Sequence, residues 1–191
     1  MLALLAAGQS RRFGKADKLG ALLGDRMLGL HAAATGAETG FSEKLVIASP
    51  DHPCAAQWSA LGYRIIANED AGQGQASSVR LAAAQAIETG ARALCILLAD
   101  MPFVTREHID RLMAAFEQSG GTVASARNGQ AMPPAVFPAG RLAALLALDG
   151  DSGARTLLAE AGQVAGDDHL LMDVDTVADL ARANEIYRKI R

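Results

Sequence analysis

Cysteine is nearly absent from this chain: only Cys54 and Cys95 occur in 191 residues. Cys95 lies inside the apolar run ALCILLA, where a reduced core thiol is expected in place of a disulfide or a metal ligand, and such usage suits a reducing cytoplasm. Aromatic residues make up 4% of the chain and are scattered, so no stacking platform for single-stranded nucleic acid is visible. Excess charge is missing too. A formal net charge of -3 gives no general attraction to nucleic acid or an anionic membrane, so basic residues must act locally. No apolar run approaches the roughly 20 residues of a membrane span. The opening MLALLAA has no basic region before it and is too short for a signal-peptide core. No repeat, low-complexity tract or Pro/Ser-rich linker divides the chain. The expectation is one cytoplasmic domain over residues 1–191, with small-molecule partners and neither nucleic acid nor membrane.

What is present is alternation. Apolar β-like runs at Leu2–Ala6, Lys44–Ala48, Tyr63–Ile66 and Ala93–Leu98 alternate with alanine-rich stretches of helical period, such as SSVRLAAAQAIETG and REHIDRLMAAFEQSG. Gly62, Gly90 and Gly120 end helices. The pattern implies an α/β fold, a three-layer sandwich with a mostly parallel, Rossmann-like sheet and right-handed crossovers. From Gly121 it loosens: TVASA and AVF read as short strands, two short helices flank GDSGAR, and LLMDVD reads as a strand before a C-terminal helix. Ligands of such sheets lie beyond the carboxyl ends of the strands, where Gly8, Asn68, Asp100 and Asp175 would each emerge from a strand of its own.

The first strand runs into LAAGQSRRFG and then KADKL. Gly8 and Gly14 leave backbone N–H groups uncovered, and Arg11, Arg12, Lys15 and Lys18 follow closely. Amides plus cations suit a polyphosphate. The loop is not a P-loop, since Gly14-Lys15 precedes Ala16 and not Ser or Thr. The nearest dinucleotide-like pattern, at Gly72 and Gly74, follows a later strand. The alternative reading is a solvated basic loop. Asp100 closes the run ALCILLAD, and Met101-Pro102 turns the chain out of the sheet there, so the carboxylate faces the crevice as a metal ligand. A helix cap is the rival role, for which Thr105 is better placed. Asp173 and Asp175 lie two apart on the expected strand and so share a side, an arrangement that calls for a cation. Asp175 or Thr176 could instead cap the last helix. Two carboxylates could hold Mg²⁺ over a triphosphate and neutralise its charge. His31, His52, His108 and His169 are scattered and support no covalent mechanism.

The stretch LAAGQSRRFGKADKL resembles the signature loop of the MobA-like nucleotidyltransferases. In these, Leu-Ala-Ala-Gly or Leu-Ala-Gly-Gly, then Ser-x-Arg-x-Gly, then Asp-Lys, wrap a nucleoside triphosphate. LLADMPFV, PPAVFP, GDSGAR and DVDTVADL recur in family order, so the likeness covers the chain. The resemblance implies the nucleotide-diphospho-sugar transferase type of sheet, with one later strand antiparallel. It implies a nucleotide site at Leu5, Ala6, Ala7, Gly8, Arg12, Lys18 and Asn68, with Gly74, Ser77 and Ser78 on the base side. Catalytic roles fall to Arg12, Lys18 and Asp100, metal binding to Asp100 and Asp175, and acceptor binding to Pro134, Arg155 and Asp173. The likeness is nearest to the molybdenum cofactor cytidylyltransferase branch, because the loop reads Leu-Ala-Ala-Gly; Gly74-Gln75-Ala76 stands where that branch commonly has Gly-Met before the serines. The expected reaction is Mg²⁺-dependent transfer of CMP from CTP to the terminal phosphate of molybdopterin, with a molybdoenzyme as recipient of the product. Alternatives are GTP as donor, another small phosphorylated acceptor, or a non-catalytic cofactor-delivery partner.

Overall fold

In the computed structural model the described residues are 1–8, 13, 17–148 and 155–190. Four parallel strands form one half of a seven-stranded sheet: β1 (Leu2–Leu5), β4 (Lys44–Ala48), β5 (Arg64–Ala67) and β6 (Ala93–Leu98). Between β1 and β4 lie the short hairpin β2 (Leu22–Leu23) and β3 (Arg26–Met27) and the helix α1 (His31–Ala37). The sheet order is β5-β4-β1-β6, then β8 (Gln130–Pro138), β7 (Val123–Arg127) and β9 (Gly162–Ala165). Of these β8 alone is antiparallel to its neighbours β6 and β7, the reversed strand anticipated above.

β1 is apolar throughout because it is covered on both sides. Leu2 and Leu4 join Val46, Cys95, Leu97 and Trp58 in one core, whereas Ala3 and Leu5 join Ile47, Ile96, Val79 and Ala83 in the other. Successive side chains on a strand face opposite ways, so a strand buried on both faces shows no polar alternation. The first layer is built by α1, α2 (Ala55–Ala60), α4 (Arg106–Ser119) and α7 (Val177–Ile190). The second is built by α3 (Gln75–Glu88) and α5 (Leu142–Leu146), with α6 (Arg155–Leu158) beyond. Small residues on α3, namely Ala76, Ala82, Ala83 and Ala86, are fully buried and let this helix approach the sheet closely. Gly36 of α1 does the same on the opposite face: a Cβ there would lie 2.3 Å from the Tyr63 hydroxyl and 2.7 Å from Leu2.

One expected element is different. LLMDVD is no strand. Leu171, Met172 and Val174 are buried, which is why the stretch reads like one, but β6 has already left the sheet at Asp100. A single backbone bond joins the two segments, Val174 N to Asp100 O at 3.0 Å. The extra strand of this half is β9, whose exposed, weakly apolar GQVA sequence carries little signal.

Candidate active site

The sheet order reverses between β1 and β6, and this is the edge where open parallel sheets hold ligands. Three charged residues meet there. Asp17 accepts the amide of Leu19 at 2.8 Å and so caps the turn Lys18–Gly20, which turns the Lys18 side chain inward. Its Nζ donates to Asp100 Oδ2 at 2.6 Å and to Asp175 Oδ1 at 2.7 Å. Neither carboxylate is a helix cap. Thr105 caps α4 by accepting His108 N. Thr176 and Asp179 cap α7 reciprocally, since Thr176 Oγ1 accepts Asp179 N at 3.1 Å and Asp179 Oδ2 accepts Thr176 N at 2.9 Å. Asp175 is thereby left to face the cleft. Burial opposes the charge on Lys18, but the two carboxylates outweigh it and hold its pKa above the ordinary value. Burial pushes Asp100 upward; Lys18 pulls the other way, and Asp175 and Asp173 add to the rise.

Two cavities open on either side of this cluster and share Leu5, Gln75, Leu98, Asp100 and Asp175. The first, about 360 Å³, is lined by the end of β1 (Leu5, Ala6, Ala7, Gly8), by Lys18, and by Gly74, Gln75 and Ser78 at the start of α3. Gly74 has φ +87°, a conformation that side chains resist, and it brings the N–H end of α3 to the cavity, where an anion is favoured. The second, about 380 Å³, lies over β6 and β8 and includes Pro133, Arg127 and Asp173.

The expected site residues separate accordingly. Leu5, Ala6, Ala7, Gly8, Lys18, Gly74 and Ser78 surround one cavity with both metal candidates. Asn68 and Ser77 line a recess apart from it: Asn68 Nδ2 donates to Ser77 Oγ at 3.0 Å and to Ser78 Oγ at 2.9 Å, bracing the first turn of α3. Pro134 is buried behind the second cavity, with its neighbour Pro133 forming the wall. Arg12 lies outside the described residues, as does the side chain of Arg155.

The donor set suits a hard divalent cation. Asp100 Oδ1 is buried without a hydrogen-bond partner, and Asp100 Oδ2 and Asp175 Oδ1 already converge on a positive charge. Among the described residues no group of three or more His, Cys, Asp and Glu could enclose a metal. Two carboxylates with further oxygens from phosphate and water are the arrangement Mg²⁺ accepts.

Comparison with known proteins decides the family. Residues 2–171 match the MobA-like NTP transferase domain. The chain belongs to that family. It is 34% identical to a molybdenum cofactor guanylyltransferase from Cereibacter sphaeroides, over 97% of this chain and 96% of that protein. It is 32% identical to purine catabolism protein PucB from Bacillus subtilis, over 90% and 89%. Its fold is that of Rv0371c from Mycobacterium tuberculosis H37Rv, solved in complex with manganese, with a TM-score of 0.77 at 21% identity over 96% and 97% of the chains. The MobA-like chain is therefore a nucleotidyltransferase, and its mostly parallel sheet is the one expected.

Two polar features of this MobA-like domain escape a reading of the sequence. Arg127 and Gln130 face each other across a hairpin and line the second cavity; the Asn128-Gly129 turn between them was the available signal. His108 Nε2 lies 2.8 Å from Ser125 Oγ, which donates to Pro134 O at 2.9 Å. This Ser–His pair is not a nucleophile and base. Ser125 and His108 are buried and line neither cavity of the cleft, and Ser125 instead supplies a donor beside two prolines, the second of which has its carbonyl in the β7–β8 bulge. Burial, aided by Arg111, drives the His108 pKa down to about 4.

Proposed function

We propose that the protein transfers a nucleoside monophosphate from GTP to the terminal phosphate of molybdopterin, with Mg²⁺ and release of pyrophosphate. The observation that carries this reading is the meeting of two cavities at Asp100 and Asp175, one framed by backbone amides and a lysine, the other by mixed polar and apolar walls. A triphosphate in the first and a phosphate monoester in the second would react at their junction. GTP is preferred over the CTP expected from the sequence because relatives over the full chain are named guanylyltransferases. CTP remains the second reading, supported by Ala7 in the Leu-Ala-Ala-Gly loop, which lines the nucleotide-side cavity.

Asp100 and Asp175 would hold the cation, a role supported by their convergence on the Lys18 ammonium and by the unpartnered Asp100 Oδ1. When bound, Mg²⁺ neutralises the triphosphate and polarises the α-phosphorus. Residues Leu5–Gly8 and the start of α3 orient the triphosphate, and Lys18 shifts from the carboxylates to the charge gathering on pyrophosphate. An acceptor phosphate oxygen forms the new P–O bond as the α–β bridging bond breaks. A phosphate monoester is mostly dianionic at pH 7 (second pKa about 6), so no general base is required. The buried, reduced Cys54 and Cys95, with pKa values raised by burial to about 11 and about 12, fit a cytoplasmic enzyme, and a molybdoenzyme is the natural recipient of the product. Pyrophosphate release from GTP or CTP in the presence of molybdopterin tests the reading. Turnover with GTP supports it, faster turnover with CTP moves it to the cytidylyl branch, and no turnover with either refutes it.

A further inference from the structure

Arg127 closes β7, and its position follows from the turn that comes after it. Asn128 and Gly129 have φ of +53° and +75°, the two-residue hairpin geometry that suits Asn-Gly. That turn pairs Arg127 with Gln130, and residues directly opposite across a strand pair present their side chains on one face. Both line the acceptor-side cavity, where Arg127 is the one cation among the described lining residues. Its Nη1 donates to Leu171 O at 3.1 Å, using one of five guanidinium N–H groups. Among the described residues it forms no ion pair, although it is half-buried and shares the cavity with Met132, Pro133 and Phe137. It makes no ion pair with Asp100, Asp173 or Asp175, which line the same cavity, so its remaining N–H groups stay available to an incoming anion.

We infer that Arg127 binds the phosphate of the acceptor, with its fork of donors meeting two phosphate oxygens as Lys could not. The exposed carboxylate of Asp173 in the same cavity accepts from the body of that molecule. The acceptor is thus a phosphate monoester carrying N–H or O–H donors. This inference rests on the nucleotidyl-transfer reading and adds a specificity-determining residue to it. The rival role is structural: through Leu171, Arg127 could merely hold the segment that carries Asp173 and Asp175.

The test begins with binding of Mn²⁺ and a non-hydrolysable GTP analogue to wild type, Arg127→Met and Arg127→Lys. Inorganic phosphate is then titrated into each loaded protein and followed by ³¹P line width. Wild type is expected to bind phosphate saturably. Arg127→Met should weaken it by about 10- to 100-fold, the effect of losing charge-assisted hydrogen bonds, with Arg127→Lys in between and Mn²⁺ and analogue affinities unchanged. Absence of saturable phosphate binding in wild type overturns the inference, as does equal phosphate binding in all three proteins. A parallel loss of Mn²⁺ affinity in both variants assigns Arg127 the structural role and overturns it too. If Arg127→Met does not fold, the wild-type and Arg127→Lys results decide. Failure of the nucleotide step in wild type would instead count against the nucleotidyl-transfer reading.

Discussion

Lys18 holds the place between Asp100 and Asp175 that a divalent cation would take, and replacing it with methionine separates the two occupants. Its ammonium donates to both carboxylates, at 2.6 and 2.7 Å, with a side chain that is 10% exposed. A hydrogen bond between charged groups contributes about 1.5–3 kcal/mol net. A metal that takes the position of the ammonium without nucleotide must displace at least one of these bonds. Lys18→Met is therefore expected to strengthen Mn²⁺ binding in the absence of nucleotide by about 10- to 150-fold, the equivalent of 1.5–3 kcal/mol. With a triphosphate present the advantage should shrink, because phosphate offers the wild-type ammonium another partner. Free Mn²⁺ measured by electron paramagnetic resonance in a titration of each protein, with and without nucleotide, gives the comparison directly. Equal or weaker Mn²⁺ binding by Lys18→Met without nucleotide would refute the idea that lysine and metal compete for one position.

Asp100→Asn should lower pyrophosphate release by about 100- to 1,000-fold, the usual scale for removing one group that stabilises transition-state charge, with circular dichroism unchanged; retained turnover would remove Asp100 from the site. Thr176→Ala takes away the cap of α7 and should cost about 1 kcal/mol in urea denaturation; an unchanged midpoint would show that the Thr176–Asp179 pair stabilises nothing. His108 has a folded pKa of about 4 against an unfolded value near 6.5. Its stabilising contribution is thus complete above pH 6.5 and lost as pH falls toward 4, by up to about 3 kcal/mol. His108→Gln should flatten that part of the stability–pH curve, and an identical slope in the variant would argue against a neutral, buried His108.

The first half of the fold was legible because β1, β4 and β6 are buried on both faces, which leaves short uninterrupted apolar runs, while alanine-rich α3 precedes β6 and amphipathic α4 follows it. LLMDVD misled for a related reason: Leu171, Met172 and Val174 are buried as strand residues would be, yet no strand edge remains beside them. Conversely β2, β3 and β9 are short and largely exposed, so hydrophobic pattern had nothing to register. Asp100 was visible as a carboxylate ending a core strand. Its partnership with Lys18 was not, because the three charges are 82 and 157 positions apart in the chain and only the sheet topology joins them. Arg127 was hidden by its surroundings, since a lone arginine before an Asn-Gly turn reads as a solvated hairpin end. Asn68 and Ser77 have the residue types of ligand contacts but brace a helix instead.

The most direct measurement is a crystal structure of the protein with Mn²⁺ and a non-hydrolysable GTP analogue, using the anomalous signal of manganese to locate the metal. The expected result is a single peak bonded to Asp100 and Asp175, with the triphosphate against Leu5–Gly8 and the Lys18 ammonium moved onto phosphate. Manganese bound elsewhere, or Lys18 still between the two carboxylates with nucleotide in place, would contradict it.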